Sequence, residues 1–168
     1  MTVIVVVMGV SGAGKSTIGR GLAKRLDAEF LEGDDYHPAA NVAKMRRGEP
    51  LDDADRRPWL ERLAAELSAH AAEGKSAVLA CSALRRRYRD VLRSGCPQVR
   101  FIYLAGTPAL IRDRLRRRTG HYMPAALLDS QFAILEEPDA SEALSIDIAP
   151  DPDKVVETAY AALKNAAG

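Results

Sequence analysis

The chain has 168 residues, 47% of them hydrophobic and 28% charged, which suits one compact domain with an ordinary core and is short for two. Its 24 Lys and Arg against 23 Asp and Glu leave a net charge of +1, which argues against disorder and advertises neither a nucleic-acid nor an anionic-membrane partner. With no glycine period, no sustained heptad and only Cys81 and Cys96, the collagen-like, coiled-coil and disulfide-scaffold classes fall away, and two thiols fit a reducing cytoplasm.

In chain order, Val3 to Val10 is an eight-residue apolar start with no basic segment before it. It runs into glycine and lysine, so it reads as neither a signal peptide nor a membrane span. Within it, Val3 to Met8 is a β-branched run of the kind expected of a strand buried on both faces. Ile18, Leu22 and Leu26 then mark one face of a helix from Lys15 to Leu26. Glu29 to Glu32 reads as a second strand, and Pro58 to Ala72 as a helix with Asp52, Asp53 and Asp55 ahead of it.

Ala77 to Cys81 is the third strand, Leu84 to Leu92 a helix and Val99 to Leu104 the fourth strand. Thr107 and Pro108 supply an N-cap and a first-turn proline for a helix to about Arg117. A helix near Leu127 to Leu135, a fifth strand from Leu144 to Ile148 and a last helix after Asp151-Pro152 complete the pattern. Strands separated by crossover helices predict a single α/β domain over 1–168, with a parallel sheet covered on both faces.

The most specific motif is Gly9-Val10-Ser11-Gly12-Ala13-Gly14-Lys15-Ser16, which fits G-x-x-x-x-G-K-[ST] at every fixed position, between a strand and a helix. Glycines let successive backbone N–H groups converge on phosphate oxygens, and the helix N-terminus adds orphan donors. Gly9, Ser11, Gly12, Ala13, Gly14, Lys15, Ser16 and Thr17 are therefore expected to hold the nucleotide, ATP. Lys15 serves as a point charge on the phosphates and the Ser16 hydroxyl as a ligand for Mg²⁺. The third strand ends without an acidic residue, so Glu32 and Asp34, at the end of strand two, are the nearest candidates for a second metal-shell carboxylate. GTPase base-reading motifs of the N-K-x-D type are missing from the sequence.

Gly33-Asp34-Asp35-Tyr36-His37-Pro38 follows strand two, at the carboxyl edge where doubly wound sheets bind ligands. Asp34 there is either turn chemistry or a carboxylate that orients an acceptor hydroxyl and takes its proton. His37 is either a loop residue or a substrate contact. From Arg85 to Arg118 there are eleven arginines against Asp90 and Asp113. Arg112 with Arg116, and Arg114 with Arg118, are like-charge i,i+4 pairs that repel unless an anion relieves them. With Arg117 they suggest the root of a lid over roughly 114–126; the alternative is a basic solvent face or an RNA-binding strip.

Gly33 to Pro38, Asn41 to Met45, Gly48 to Asp53 and Asp55 to Leu60 together resemble the signature blocks of gluconate kinases. Cys81 to Leu84 with Tyr88 to Asp90, Phe101 to Leu104, Gly120-His121, Gln131-Phe132 and Glu136 to Pro138 resemble the same family, in the same order. The resemblance implies a three-layer P-loop kinase fold with a five-stranded parallel sheet of order 2-3-1-4-5 and a mobile lid. It also implies transfer of phosphate from ATP to D-gluconate, giving 6-phosphogluconate, by a homodimer.

A polyhydroxy carboxylate needs cations for its carboxylate and short polar groups for its hydroxyls. The expected substrate residues are Asp34, His37, Lys44, Arg47, Arg57, Ser82, Arg85, Arg89 and His121. Ser16 and Glu32 are expected at the metal, Lys15, Asp34 and Arg117 at the transferred group, and Arg112 and Arg116 on the nucleotide. Glu32 stands where relatives often carry Asp. Two other readings compete: a kinase of the same fold acting on shikimate, a nucleoside monophosphate or adenylyl sulfate, and an ATP-binding module that uses the arginine strip for RNA.

Overall fold

One apolar strand serves two cores at once. The computed structural model describes residues 1–117 and 125–167, and β1 (Ile4–Met8) is buried along its whole length. Side chains alternate across a pleated strand, so Ile4, Val6 and Met8 enter one apolar cluster and Val5 and Val7 the other. Parallel pairing with β3 (Ala77–Ala80) on one side and β4 (Arg100–Ala105) on the other makes β1 the central strand. With β2 (Glu29–Glu32) and β5 (Ala143–Asp147) at the edges, the order is β2-β3-β1-β4-β5, as the family resemblance implies.

Helices cover both faces. On the face of Val5 and Val7 lie α1 (Lys15–Leu26) and α7 (Pro152–Ala167), which contribute Ile18, Leu22, Val155, Ala159 and Leu163. Ile111 of α5 (Pro108–Arg117) and Leu128 of α6 (Ala125–Ile134) extend that cluster toward the carboxyl edge. On the other face, α3 (Asp53–Ala72) buries Trp59, Leu60, Leu63 and Leu67, and α4 (Arg86–Gly95) buries Tyr88 and Leu92. Each fully buried leucine is worth roughly 1.5–3 kcal/mol relative to exposure, so the two layers hold the sheet's carboxyl edge rigidly in place. Cys81 and Cys96 are both free and buried, and burial pushes the Cys81 thiol up to about 12.

Two elements depart from the sequence expectation. α3 starts at Asp53 rather than Pro58, because Asp52 accepts the Asp55 N–H at 2.7 Å while the Asp55 carboxylate accepts the Asp52 N–H at 3.0 Å. That reciprocal box satisfies two orphan donors and carries the helix past Pro58. A short helix, α2 (Ala39–Arg46), gives no sequence signal: among its residues only Asn41 is buried, so it has no apolar stripe. His121 and most of the expected lid lie outside the described residues. Among those described, no helix is long and apolar enough to cross a membrane.

His70 joins α3 to β2. Its Nε2 lies 2.7 Å from a Glu29 carboxylate oxygen and its Nδ1 2.9 Å from the Glu66 carbonyl. Both partners only accept, so both ring nitrogens donate and the ring is held as a cation. Burial works against that charge, but the Glu29 carboxylate and the Glu66 carbonyl outweigh it and raise the pKa. A raised pKa contributes stability that is fully present below the unfolded value of about 6.5 and is lost as pH rises through the folded one. Urea unfolding should show wild type more stable than His70→Gln at pH 6, with the gap narrowing toward pH 9. A gap that does not change with pH would contradict the charged-ring assignment.

Candidate active site

The segment between β1 and α1 is shaped by glycines whose backbone other residues would resist. Gly12 and Gly14 have φ of 87° and 95°, in the left-handed region, and Gly14 is the N-cap of α1 without a side-chain cap. A Cβ on Gly12 would lie 2.8 Å from Leu115 Cγ and 3.0 Å from Ile111 Cγ2, so α5 packs directly against the loop. The N-terminus of α1 thus carries no side-chain cap and presents the positive end of its helix dipole to the loop. Lys15 Nζ folds back to donate to the Val10 carbonyl at 3.1 Å, arching over the loop.

Three contacts tie this loop to its surroundings. The Gly9 N–H donates to the Ser82 carbonyl at 3.2 Å, which brings the chain after β3 alongside. The Ser16 hydroxyl donates to a Glu32 carboxylate oxygen at 2.5 Å, and Arg20 lies 4.0 Å from the same oxygen. From α6, Gln131 accepts the Ser11 N–H at 2.7 Å and donates to the Ser11 hydroxyl at 3.2 Å. Ser16 and Glu32 therefore set two hard oxygens side by side at the end of β2. That donor chemistry fits Mg²⁺, which takes one or two protein oxygens and the phosphates of its nucleotide. Among the described residues, no group of three or more His, Cys, Asp or Glu could hold a metal ion.

Beside the loop, a cavity of about 270 Å³ opens between Gly12, Thr17 and Ile18 on one side and Ile148, Pro150 and Pro152 on the other. Arg114 lines it and donates to the Ile148 carbonyl. Apolar walls next to a phosphate cradle suit the flat base of a nucleotide.

The acceptor side is built by close backbone approach. A Cβ on Gly33 would sit 2.4 Å from the Ala80 carbonyl oxygen, so only glycine lets the end of β2 lie this near β3. The Gly33 carbonyl accepts the buried Trp59 indole N–H at 2.7 Å. A single 3₁₀ turn, Gly33–Tyr36, follows and leaves Asp34 and Asp35 exposed at the carboxyl edge. His37 stacks on Trp59 with centroids 4.1 Å apart and rings 17° from parallel. Asn41 donates through its amide nitrogen to the Asp55 carbonyl at 2.8 Å, and the same nitrogen is 3.2 Å from His37 Nδ1. Burial lowers the His37 pKa, so Nδ1 accepts and the proton rests on Nε2. Trp59, buried in the core under α3, is also the strut of this turn.

The expected substrate cations divide. Lys44 pairs with Asp55 at 2.6 Å, Arg47 with Glu49 at 3.2 Å and Arg57 with Glu61 at 3.0 Å, the last two on exposed surface. Arg85 caps α4 and has a buried Nε with no hydrogen-bond partner. Arg89 corrects the expectation. It is 1% exposed, and its Nε and Nη2 grip Glu142 at 2.6 and 3.1 Å while Nη1 and Nη2 donate to the Ala83 and Glu136 carbonyls. Every arm is committed, so Arg89 is a buried anchor between α4 and the chain after α6, not a substrate ligand.

Several arginines of the strip are paired within the chain. Arg100 donates to the Leu163 carbonyl, Arg112 pairs with Asp129 at 3.2 Å and Arg117 with Asp113 at 3.2 Å. Of the like-charge pairs of α5, Arg112 thus meets a carboxylate and Arg114 the Ile148 carbonyl, while Arg118 lies outside the described residues. Arg116 and Arg117 are exposed in its last turn.

A family model described as an AAA domain matches residues 4–138. The thermosensitive gluconokinase of Escherichia coli (strain K12) is 47% identical over 154 residues, covering 90% of this chain and 82% of the relative. The gluconokinase of Gluconobacter oxydans (strain 621H) is 48% identical, covering 90% and 86%. The crystal structure of a gluconokinase from Sinorhizobium meliloti 1021 superposes with a TM-score of 0.90 at 39% identity, covering 97% of this chain and 92% of that one.

Removing Arg89 would take the two-nitrogen grip from the Glu142 carboxylate, whose side chain is 8% exposed, and leave it to Arg93 alone at 2.6 Å. Breaking a buried pair of this kind costs about 3–5 kcal/mol. Arg89→Ala should therefore lower the denaturation midpoint sharply, with Arg89→Lys recovering only part. A midpoint within experimental error of wild type for Arg89→Ala would return Arg89 to the list of ligands.

Proposed function

The chain belongs to the gluconokinase family, and from that premise we propose that it transfers the γ-phosphoryl group of ATP to the terminal hydroxyl of D-gluconate, releasing ADP and 6-phosphogluconate. The observation that carries this reading is the meeting of a glycine-shaped phosphate loop and an exposed carboxylate turn at one sheet edge, tied by the Ser16–Glu32 and Gly9–Ser82 contacts.

In this reading the backbone N–H groups of the loop around Gly12 and Gly14 and the Lys15 ammonium take the phosphates, Gly9, Ser11, Ala13, Ser16 and Thr17 shape the cradle, with the Ala13 N–H donated to the Val10 carbonyl, and the 270 Å³ cavity takes the base. Ser16 and Glu32 would hold Mg²⁺, which neutralises charge on the phosphate chain when bound. Asp34 accepts the proton of the attacking hydroxyl as the new O–P bond forms and the bond to the ADP oxygen breaks. Arg85, with its orphan buried Nε, is assigned to the gluconate carboxylate; Lys44, Arg47 and Arg57 add positive potential, and Ser82 and the His37 Nε2–H meet hydroxyls. Arg112, Arg116 and Arg117, on α5 beside the loop, are assigned to the phosphates, and His121 and a lid over 114–126 complete the proposal. Two buried free thiols accord with a cytoplasmic setting. The homodimer rests on likeness to the family, and nothing in the proposed chemistry calls for nucleic acid.

Two variants separate the roles. Lys15→Ala should lower gluconate-dependent ADP release by roughly 10²- to 10³-fold while leaving the melting temperature in place. Turnover like that of wild type would sink the phosphate-loop assignment. Asp34→Asn should lower kcat by about 10²- to 10⁴-fold with ATP affinity nearly unchanged. An equal collapse of ATP affinity would move Asp34 into the metal shell.

A further inference from the structure

The phosphate loop has a partner outside the Gly9–Ser16 motif. Gln131 sits on α6, 120 positions away in sequence, and meets Ser11 with both ends of its amide. α6 is fixed beneath it by Leu128, which is 1% exposed in the α1-side core, and by Phe132, which packs against the same cluster. The amide is therefore presented from an anchored element, while the loop it grips depends on Gly12 and Gly14 for its shape.

The two bonds have different consequences. The carboxamide oxygen accepts the Ser11 N–H at 2.7 Å, so this donor is satisfied within the chain. The carboxamide nitrogen can only donate. At 3.2 Å from the Ser11 oxygen it makes that oxygen the acceptor, and the hydroxyl's own proton must point away from Gln131. A serine rotor with its acceptor lobe occupied is a preset donor. Preset donors beside a transferring phosphoryl group need no reorganisation as charge develops there.

We propose that Gln131 is a positioning residue for phosphoryl transfer, which locks the first half of the phosphate loop and turns the Ser11 hydroxyl proton toward the phosphate chain of the nucleotide. The proposal rests on the reading of this loop as the ATP site. Gln131 acts through Ser11 and touches no reacting atom. A carboxylate in its place keeps the acceptor end, loses the donor end and adds a negative charge beside the phosphates. An alanine loses both ends.

The test is a double-variant cycle on the full chain with Mg²⁺-ATP and gluconate, reading kcat, both KM values, ATP affinity and melting temperature for wild type, Ser11→Ala, Gln131→Ala, Gln131→Glu and Ser11→Ala/Gln131→Ala. Expected is a fall in kcat of about 10- to 100-fold for Gln131→Ala and at least as much for Gln131→Glu, with KM for gluconate within about 2-fold of wild type. The double variant should be no more than about 3-fold slower than Gln131→Ala, because both changes remove one device. Multiplying losses, or a kcat within about 3-fold of wild type for both Gln131 variants, would overturn the proposal. So would losses that appear only in gluconate KM or track the melting temperature, since a purely structural contact predicts those. If Gln131→Ala does not fold, the near-isosteric Gln131→Glu carries the same comparison against Ser11→Ala. A wild-type chain without gluconate-dependent turnover overturns the reading of the site itself, and this proposal with it, and is distinguished by that control.

Discussion

The left-handed backbone at Gly12 and Gly14 is the constraint on which the rest of the molecule depends. A chain leaving a fully buried strand must reverse within a few residues and enter a helix with its N–H groups open, and only residues without a Cβ do this cheaply. The turn is useful only if it is held still. β1 at the centre of the sheet holds one end, the α1 packing against α7 holds the other, and Leu115 and Ile111 of α5 close over the space that a Gly12 side chain would need. The fold is in this sense a mount for the loop between β1 and α1.

The opposite side of the site uses a second mount of the same kind. Gly33 lies so near the Ala80 carbonyl that β2 and β3 fix the position of the next residue, and the Trp59 indole seals the carbonyl on the other side. The stacked His37, with Asn41 behind it, ties α2 to the first turn of α3. Charge is distributed with similar economy. Arginine-rich sequence suggests a polyanion partner, yet Arg89 and Arg93 share the single carboxylate of Glu142, and Arg100 and Arg114 terminate on backbone carbonyls.

Much of this was legible in the sequence because it is written in local pattern. A β-branched run, a glycine-lysine motif and a helical stripe follow one another over Val3 to Leu26, and the strand-helix alternation predicts the parallel sheet. The start of α3 was missed because Pro58 is a familiar first-turn signal, whereas the box of Asp52 and Asp55 joins two acidic residues of a kind that also occur in loops. α2 was missed for lack of any apolar stripe. Arg89 looked like a substrate cation because its partner Glu142 is 53 positions away, and Gln131 carried a family signature without a role because Ser11 is 120 away. Pairings at that range depend on how layers dock, which periodicity does not encode.

On the proposed function, the carboxylate turn at the end of β2 serves gluconate. ADP release from Mg²⁺-ATP should be measured side by side with gluconate, related aldonates, shikimate, AMP, adenylyl sulfate and no acceptor, at matched concentrations. The account predicts turnover with gluconate that exceeds the no-acceptor rate by orders of magnitude and exceeds shikimate, AMP and adenylyl sulfate by a similar margin. Equal or faster turnover with one of those three would keep the phosphate loop and discard the sugar acid, and ATP binding without acceptor-dependent ADP would contradict the claim outright.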